Sequence, residues 1–288
     1  MPYTAQRPVS GAGLGLRREL LAGLNGLDDD RPIDFMEVAP ENWIGVGGRY
    51  GRQFRALTER FPFVCHGLSL SIGGPAPLDI ELVRAVGAFL DEFDIKLYTE
   101  HLSFCSDERG HLYDLMPIPF TEEAAAAVAA RIRQVQDILN RQIAIENVSY
   151  YAAPGQRINE AEFINQVMSQ ADCGLLLDVN NLFVNSINHS YDAPAFMQRL
   201  DLQRTEYIHV AGHYAQAEDL RIDSHGSAVV QPVWDLLKKA FEALGPVPTL
   251  VERDFNFPPL QELLDEVAQV RRYQGVAGEG HMGSLTHA

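Results

Sequence analysis

The sequence predicts a (β/α)8 TIM barrel, an α/β fold, and three observations lead to this prediction. Eight short apolar segments recur along the chain, each of the length expected for a strand that is buried on both faces. Amphipathic segments lie between most of them, an alternation that is typical of a parallel sheet. The chain has 288 residues, and at about this length a closed barrel is the economical arrangement.

The predicted strands are rich in Val, Ile, Leu and aromatic residues, and in chain order they are 11–16, 33–38, 63–68, 96–102, 143–148, 174–179, 207–212 and 249–254. The clearest predicted helices are 78–93, 121–140, 231–244 and 258–273. Thr121 is a residue type that caps helix N-termini, and the last helix opens with proline near its first turn. An open doubly wound sheet is the alternative, but no Walker-type loop supports it, and "GAGLGL" at 11–16 lacks the spacing of a dinucleotide-binding loop.

The domain organisation is predicted to be simple. No internal repeat and no linker interrupts the alternation, so residues 1–274 are expected to form one TIM-barrel domain. Residues 275–288 are rich in glycine and without a periodic pattern, and we expect a flexible C-terminal tail there.

The composition disfavours several classes of partner. The formal net charge is −16 and no Lys/Arg run exceeds two residues, which argues against a nucleic-acid substrate. The sequence contains no run of 18 apolar residues, so it predicts no membrane span. The arginines at 17 and 18 interrupt the only apolar stretch that could resemble a signal peptide. Cys65, Cys105 and Cys173 form no CxxC pair, which favours a reducing compartment and a cytoplasmic location.

Six consecutive predicted strands end in a residue that can bind metal or transfer a proton: His66, His101, Glu146, Asp178, His209 and Glu252. In a parallel barrel the C-terminal strand ends form one face, so these side chains are expected to converge. The loop after His209 adds Asp223 and His225, whose spacing puts both side chains on one side of an extended backbone.

These eight groups comprise four histidines, two aspartates and two glutamates, which is too many for one ion. Because carboxylates can bridge metals, two or three metals are expected. Imidazole and carboxylate ligands without thiolates suit iron, zinc or manganese.

Seven motifs resemble one family, over roughly residues 10 to 272. They are "APENW" (39–43), "HGLSLSIGG" (66–74), "YTEHLSF" (98–104), "IENVSYY" (145–151), "LLLDVNNLFVN" (175–185), "IHVAGH" (208–213) and "DSHG" (223–226). The family is that of the multinuclear iron enzymes MbnB and TglH, which have xylose-isomerase-like TIM barrels. The resemblance implies an iron-dependent oxidase that uses O₂ to modify cysteine residues of a ribosomally made peptide, with an oxazolone–thioamide, thiooxazole or related product.

The resemblance also implies a ligand set: His66, His101, Glu146, Asp178, Asn181, His209, Asp223, His225 and Glu252. It implies two or three irons in mixed Fe(II)/Fe(III) states, a Cys-containing precursor peptide and a partner protein that recognises the peptide. Asp223 and His225 are assigned catalytic roles, because their loop would let them shift between metal ligation and proton transfer.

A rival interpretation is a divalent-metal hydrolase or isomerase of the endonuclease IV or xylose isomerase type, acting on a sugar phosphate or nucleic acid. A histidine stands in the endonuclease IV type where this chain has Asn181. An amide oxygen is a weaker, neutral ligand, so this position favours an exchangeable metal site and the oxidase. A non-enzymatic metal-binding scaffold is a third interpretation.

Several further polar residues have open roles. Glu37 and Glu41–Asn42 either orient ligand imidazoles or hydrogen-bond a loop. His213 either contacts a ligand or substrate or binds metal itself, and His189 lies in a loop that is one possible neighbour of the site.

Overall fold

The computed structural model describes residues 3–27 and 32–285, without the side chains of Tyr113 and of residues 276–285. Its strands are β1 Ala12–Gly15, β2 Phe35–Val38, β3 Phe63–Gly67, β4 Tyr98–His101, β5 Phe104–Asp107, β6 Gly110–Met116, β7 Ala144–Glu146, β8 Gly174–Asp178, β9 Thr205–Ala211, β10 Tyr214–Ala217, β11 Leu220–Ile222 and β12 Thr249–Glu252. Its helices are α1 Leu21–Asn25, α2 Gly48–Thr58, α3 Ile80–Glu92, α4 Glu122–Leu139, α5 Glu160–Ala171, α6 Val179–Asn188, α7 Ala193–Met197, α8 Gln231–Leu244 and α9 Leu260–Leu285. Short 3₁₀ turns cover Arg18–Leu20, Pro40–Asn42 and Leu202–Arg204.

Eight of the strands form a closed parallel barrel in the order β1-β12-β9-β8-β7-β4-β3-β2. Each of the eight predicted strand segments overlaps one of these strands, and seven contain it entirely, so the predicted fold class is confirmed. The remaining strands form two antiparallel hairpins, β5–β6 after β4 and β10–β11 after β9. Both hairpins extend the C-terminal face of the barrel, and the sequence pattern had not indicated them.

Three of the four clearest predicted helices, 78–93, 121–140 and 231–244, lie within two residues of α3, α4 and α8 at both ends. Thr121 caps α4 by accepting a hydrogen bond from the amide of Ala124, as its residue type predicts. The last helix extends to Leu285, so the backbone at 275–285 is helical instead of lacking regular structure, and the flexibility of this tail stays a prediction. Residues 286–288 lie outside the described residues. Within the described chain, no helix combines the length and apolar character that crossing a membrane requires.

Side chains that point into the barrel form two layers, because successive residues of a strand face opposite sides. The lower layer is apolar and includes Phe35, Val64, Leu97, Leu176, Tyr207 and Leu250. Gly13 makes room for it, since a Cβ at this position would lie 2.7 Å from the Phe35 ring. Two residues further along the strands, the upper layer is polar. The larger apolar core, which includes Cys65, lies between the barrel and its helices.

Candidate metal centre

Seven acidic or histidine side chains meet above the apolar layer, one from the C-terminal end of every barrel strand except β1. They are Glu37 of β2, His66 of β3, His101 of β4, Glu146 of β7, Asp178 of β8, His209 of β9 and Glu252 of β12. The strand register helps to bring them together, because His101 pairs with Glu146 and Asp178 with His209. All are buried except His101, which is only slightly exposed. The six predicted strand-end residues therefore converge as expected.

One half of the cluster consists of two imidazoles around a carboxylate. Oε2 of Glu146 lies 2.9 Å from Nε2 of His66 and 3.3 Å from Nε2 of His101. Nδ1 of His101 lies 2.8 Å from the carbonyl oxygen of Gly67, and a carbonyl only accepts, so this nitrogen carries the hydrogen. In the neutral ring, Nε2 of His101 is therefore the nitrogen that could offer a lone pair to a metal ion.

The other half of the cluster is centred on His209. Its Nε2 lies 2.8 Å from Oε2 of Glu37. Its Nδ1 lies 3.0 Å from Oε2 of Glu252 and 3.9 Å from Oδ2 of Asp178. Glu37, which the sequence left between two roles, thus contacts the imidazole of a predicted ligand, whereas Glu41 accepts hydrogen bonds from the loop amides of Leu68 and Ser69.

Asp223 and His225 enter from the loop after β11 and contact each other. Nε2 of His225 lies 2.7 Å from Oδ1 of Asp223, and its Nδ1 lies 3.3 Å from Oε2 of Glu252. The expected backbone was extended, but His225 has a left-handed φ of 49°, a conformation that non-glycine residues adopt at some cost. The pair meets because Asp223 is held by Ser149 Oγ and Asn180 Nδ2, at 2.9 and 3.0 Å.

Asp178 ends β8 and also caps the helix that follows at once. Its Oδ1 accepts a 2.6 Å hydrogen bond from the backbone amide of Asn181, which makes it the N-cap of α6. Asn181 therefore stands in the first turn of a helix, with Nδ2 donating to Oε1 of Glu146 at 3.1 Å. The helix thus directs Asn181 toward the same cavity as the strand-end groups.

The donor set fits a multinuclear metal centre. Four overlapping groups bring their ligand atoms within 4.8 Å of one another: His66–His101–Glu146, Glu37–His209–Glu252, Glu146–Asp178–His209 and Asp178–His225–Glu252. Several of their atoms are buried without a hydrogen-bond partner among the described residues, although ion pairs join some of them: Glu146 Oε2, Asp178 Oδ2, His209 Nδ1 and His225 Nε2, together with Asn181 Oδ1. Buried carboxylates in this number need cations nearby. Asp223 lies outside these groups, so its ligation stays a prediction.

In the metal-free cluster, burial and neighbouring charges shift the pKa values of adjacent groups in opposite directions. Burial and the nearby Glu146 carboxylate hold the pKa of Asp178 well above its usual range. Burial alone would raise the pKa of Glu146, but His101 and His66 outweigh it and lower this pKa to about 2. Burial likewise opposes the charge on His101, but Glu146 and Glu100 raise its pKa to about 9. In the metal-free cluster, bound protons thus supply the positive charge that metal ions would otherwise supply.

We predict that protein stripped of metal by a chelator loses stability as the pH rises. His101 has an ordinary pKa of 6.5 and a folded-state pKa of about 9, so its stabilising effect is complete below 6.5 and is lost as the pH rises through 9. His209 and His225 are shifted upward as well, and their contributions have the same sign. Melting curves between pH 6 and 10 should show a falling midpoint.

The control for this prediction is H101Q, whose midpoint should fall less steeply over the same range. Protein loaded with a divalent metal should behave differently, because bound metal displaces the protons and its affinity rises with pH. A metal-free midpoint that is constant or rises between pH 6.5 and 9 would contradict the prediction.

The remaining predicted residues have structural contacts. Nδ1 of His213 donates to Oδ1 of Asn180 at 2.8 Å, and Nδ2 of Asn180 in turn donates to Asp223. His189 stacks on Tyr150, with its Nε2 2.9 Å from the Tyr150 carbonyl oxygen. Arg253 lies 3.4 Å from Glu266, on the outside of the barrel.

Sequence reasoning missed Arg17, which follows β1 and lines the cavity. Its guanidinium lies 2.9 Å from Oε1 of Glu252 and pairs with Asp254. Asp254 in turn lies 3.3 Å from Nδ1 of His225. The cavity has a volume of about 400 Å³, and Leu68, Leu115 and Tyr151 contribute its apolar lining. The only available signal for Arg17 was its place directly after the predicted strand 11–16, which itself contains no acid or histidine.

The barrel has the xylose-isomerase-like TIM-barrel fold. A xylose isomerase-like TIM barrel protein from Mycobacterium smegmatis, solved in complex with magnesium, is 12% identical with a TM-score of 0.60, covering 96% of this chain and 99% of that one. Endonuclease IV from Thermus thermophilus is 13% identical with a TM-score of 0.55, covering 95% and 100%. At such identities the likeness concerns the fold alone.

The chain belongs to the family of RiPP precursor modification enzymes MbnB/TglH/ChrH, whose model matches residues 11–275. RiPPs are ribosomally synthesised and post-translationally modified peptides. A relative from Shewanella sediminis (strain HAW-EB3), named UPF0276 protein, is 58% identical over 262 residues, covering 91% of this chain and 94% of its own. A UPF0276 protein from Pseudomonas aeruginosa PAO1 is 54% identical over 277 residues, covering 96% and 97%. The resemblance of the seven motifs to this family is thereby confirmed.

Proposed function

We propose that this protein is a multinuclear non-haem iron oxidase that uses O₂ to modify cysteine residues of a ribosomally synthesised precursor peptide. The observation that carries the proposal is the convergence of buried imidazole and carboxylate groups, several of whose ligand atoms lack hydrogen-bond partners among the described residues. Membership of a peptide-modification family supports a peptide substrate.

Two or three irons in mixed Fe(II)/Fe(III) states would share the cluster. His66, His101 and Glu146 would hold one ion, and Asp178, His209, His225 and Glu252 would hold the others, with Asn181 as a weak neutral ligand. Glu146, Asp178 and Glu252 each belong to two of the four groups, so these are the carboxylates that could bridge two ions. When bound, the iron would supply Lewis acidity for the cysteine thiol and would pass electrons from the cysteine, which is oxidised, to O₂, which is reduced.

The chain itself would bind and orient the peptide at the mouth of the barrel. The cavity admits a side chain the size of cysteine, and Leu68 and Tyr151, which are 42% and 49% exposed, offer apolar contacts to neighbouring peptide residues. Arg17 adds a cation beside Glu252. We assign recognition of the rest of the peptide to a partner protein, in a cytoplasmic setting.

Asp223 and His225 would handle protons in this scheme. The 2.7 Å contact between Asp223 Oδ1 and His225 Nε2 lets the imidazole hold a proton at Nε2 or pass it to the carboxylate. The loop position leaves both groups able to turn toward a ligand, while Ser149 and Asn180 hold the carboxylate in place at rest.

The test begins with anaerobic reconstitution with Fe(II) and measurement of iron per chain. The loaded protein is then given O₂ and a cysteine-containing peptide encoded beside its gene, together with a purified partner where one is encoded there. We expect two to three irons per chain, O₂ consumption that depends on the peptide, and a mass change located at cysteine. The same peptide with serine in place of cysteine is the control.

The rival hydrolase or isomerase would give a different result. Stoichiometric zinc in the aerobically purified protein, no iron uptake, and turnover of a sugar phosphate or abasic DNA would overturn the oxidase proposal. A chain with a net charge of −16 is poorly suited to binding a phosphate backbone, which favours a peptide substrate over a nucleic acid.

A further inference from the structure

A continuous run of hydrogen bonds passes beneath the metal cluster and joins two histidines on opposite sides of the barrel. Nδ1 of His66 lies 2.8 Å from Oγ1 of Thr99, and Oγ1 of Thr99 lies 3.1 Å from the hydroxyl of Tyr207. The Tyr207 hydroxyl donates to Oε2 of Glu37 at 2.5 Å, and the same Oε2 lies 2.8 Å from Nε2 of His209. Thr99, Tyr207 and Glu37 are all buried.

The direction of every bond in this run follows from its carboxylate end. An ionised carboxylate only accepts, so Tyr207 must donate its single hydrogen to Glu37. The Tyr207 oxygen can then only accept from Thr99, and the other neighbour of Thr99, the carbonyl oxygen of Cys65 at 3.3 Å, also only accepts. The hydroxyl hydrogen of Thr99 is therefore committed, and its oxygen must accept the hydrogen of His66 Nδ1.

At the other end the same rule acts directly on His209. Its Nε2 must donate to Glu37, so when the ring is neutral, as metal binding requires, Nδ1 is the nitrogen with a lone pair. This Nδ1 is buried, has no hydrogen-bond partner among the described residues, and faces Glu252 and Asp178. His66, by contrast, keeps its lone pair on Nε2, which faces Glu146 at 2.9 Å.

We infer that Thr99, Tyr207 and Glu37 are positioning residues that make His66 and His209 bind metal through opposite ring nitrogens, Nε2 in His66 and Nδ1 in His209. Glu37 is then an acceptor that orients a ligand and not a ligand itself, although its oxygens lie close enough to join a group with His209 and Glu252. The inference rests on the proposed metal centre and adds how the chain selects the binding atom of each imidazole.

The test uses protein labelled with ¹⁵N at histidine and loaded with diamagnetic Zn(II). Long-range ¹H–¹⁵N spectra distinguish a metal-bound ring nitrogen from one that carries hydrogen, and H66Q and H209Q assign the signals. We expect His66 to be bound through Nε2 and His209 through Nδ1, with hydrogen on the other nitrogen of each. Binding of zinc by Nε2 of His209, or by Nδ1 of His66, would overturn the inference.

Substitutions test whether the run of hydrogen bonds is the cause. T99V removes the acceptor for His66 and should weaken zinc binding about 10- to 100-fold, the usual effect of removing a residue that orients a ligand. T99S should restore the affinity and the His66 signals. E37Q should disturb the ring signals of His209 while leaving the folded state intact by melting temperature.

T205V is the matched control, because Thr205 is also a buried strand threonine, at the start of β9, and its Oγ1 has no hydrogen-bond partner among the described residues. It should leave the zinc affinity unchanged. Equal losses in T99V and T205V would overturn the inference by showing a general packing effect. Failure of the unaltered protein to bind zinc or iron at all would overturn the proposed metal centre itself, a result distinct from binding through the wrong nitrogen.

Discussion

Replacing Asp178 by alanine is expected to remove metal from the barrel and to destabilise helix α6. The carboxylate has two separate tasks, since Oδ1 caps α6 through the amide of Asn181 and Oδ2 is buried without a hydrogen-bond partner among the described residues. Loss of the cap costs about 1 kcal/mol. Metal content by elemental analysis should fall by about one ion per chain, because a bridging carboxylate is lost.

Two variants separate the tasks of Asp178. D178N retains a good N-cap residue, so its metal content should fall without the loss of the cap. D79A removes the N-cap of α3, where Asp79 accepts from the Leu82 amide at 3.0 Å, and should cost a similar free energy of unfolding with full metal content. Unchanged metal content in D178A would remove Asp178 from the ligand set.

The second large effect is expected for E146Q. Glu146 lies between Nε2 of His66 and Nε2 of His101 and also accepts from Nδ2 of Asn181. Loss of its charge should abolish binding of the metal held by the two histidines. In metal-free protein it removes the partner of buried, protonated His101, which should cost about 3 kcal/mol in unfolding experiments.

The same variant should alter the pH dependence of the metal-free protein. Glu146 is the largest of the influences that raise the pKa of His101, so E146Q should reduce the loss of stability between pH 6.5 and 9. E206Q is the control, because Glu206 is a buried glutamate at the opposite end of the barrel that accepts from the backbone amides of Gln6 and Arg7. It should lower stability and retain all metal; retention of metal by E146Q would contradict the proposed centre.

Much of the site was predictable because it follows from strand ends. Parallel strands place their C-terminal residues on one face, so a run such as "GLLLDV" ending in Asp178 indicates a side chain at the mouth of a barrel. The same reasoning applies to His66 and Glu252. It does not extend to the loop residue Asp223, because a loop has no strand register to fix its side chain; the structure shows contacts of this carboxylate with Ser149 and Asn180.

Other features of the site could not be predicted, because they depend on contacts between residues that are far apart in the sequence. Thr99 stands two residues before His101, and Tyr207 two before His209, so the alternation of a strand indicated their side of the barrel. Their hydrogen-bond partners could not be read in the same way. The contact between Tyr207 and Glu37 joins residues 170 positions apart, and that between Arg17 and Glu252 joins residues 235 positions apart.

The sequence alone determined the barrel, its eight strands and the identity of the groups at its mouth, because apolar periodicity and strand direction are local properties. Tertiary structure decided that α6 begins immediately after Asp178, that Arg17 enters the cavity, and which ring nitrogen of His66 and His209 faces it. The physical reason is that a tautomer is set by the donor or acceptor at the far nitrogen. That partner is in place only once the barrel has closed.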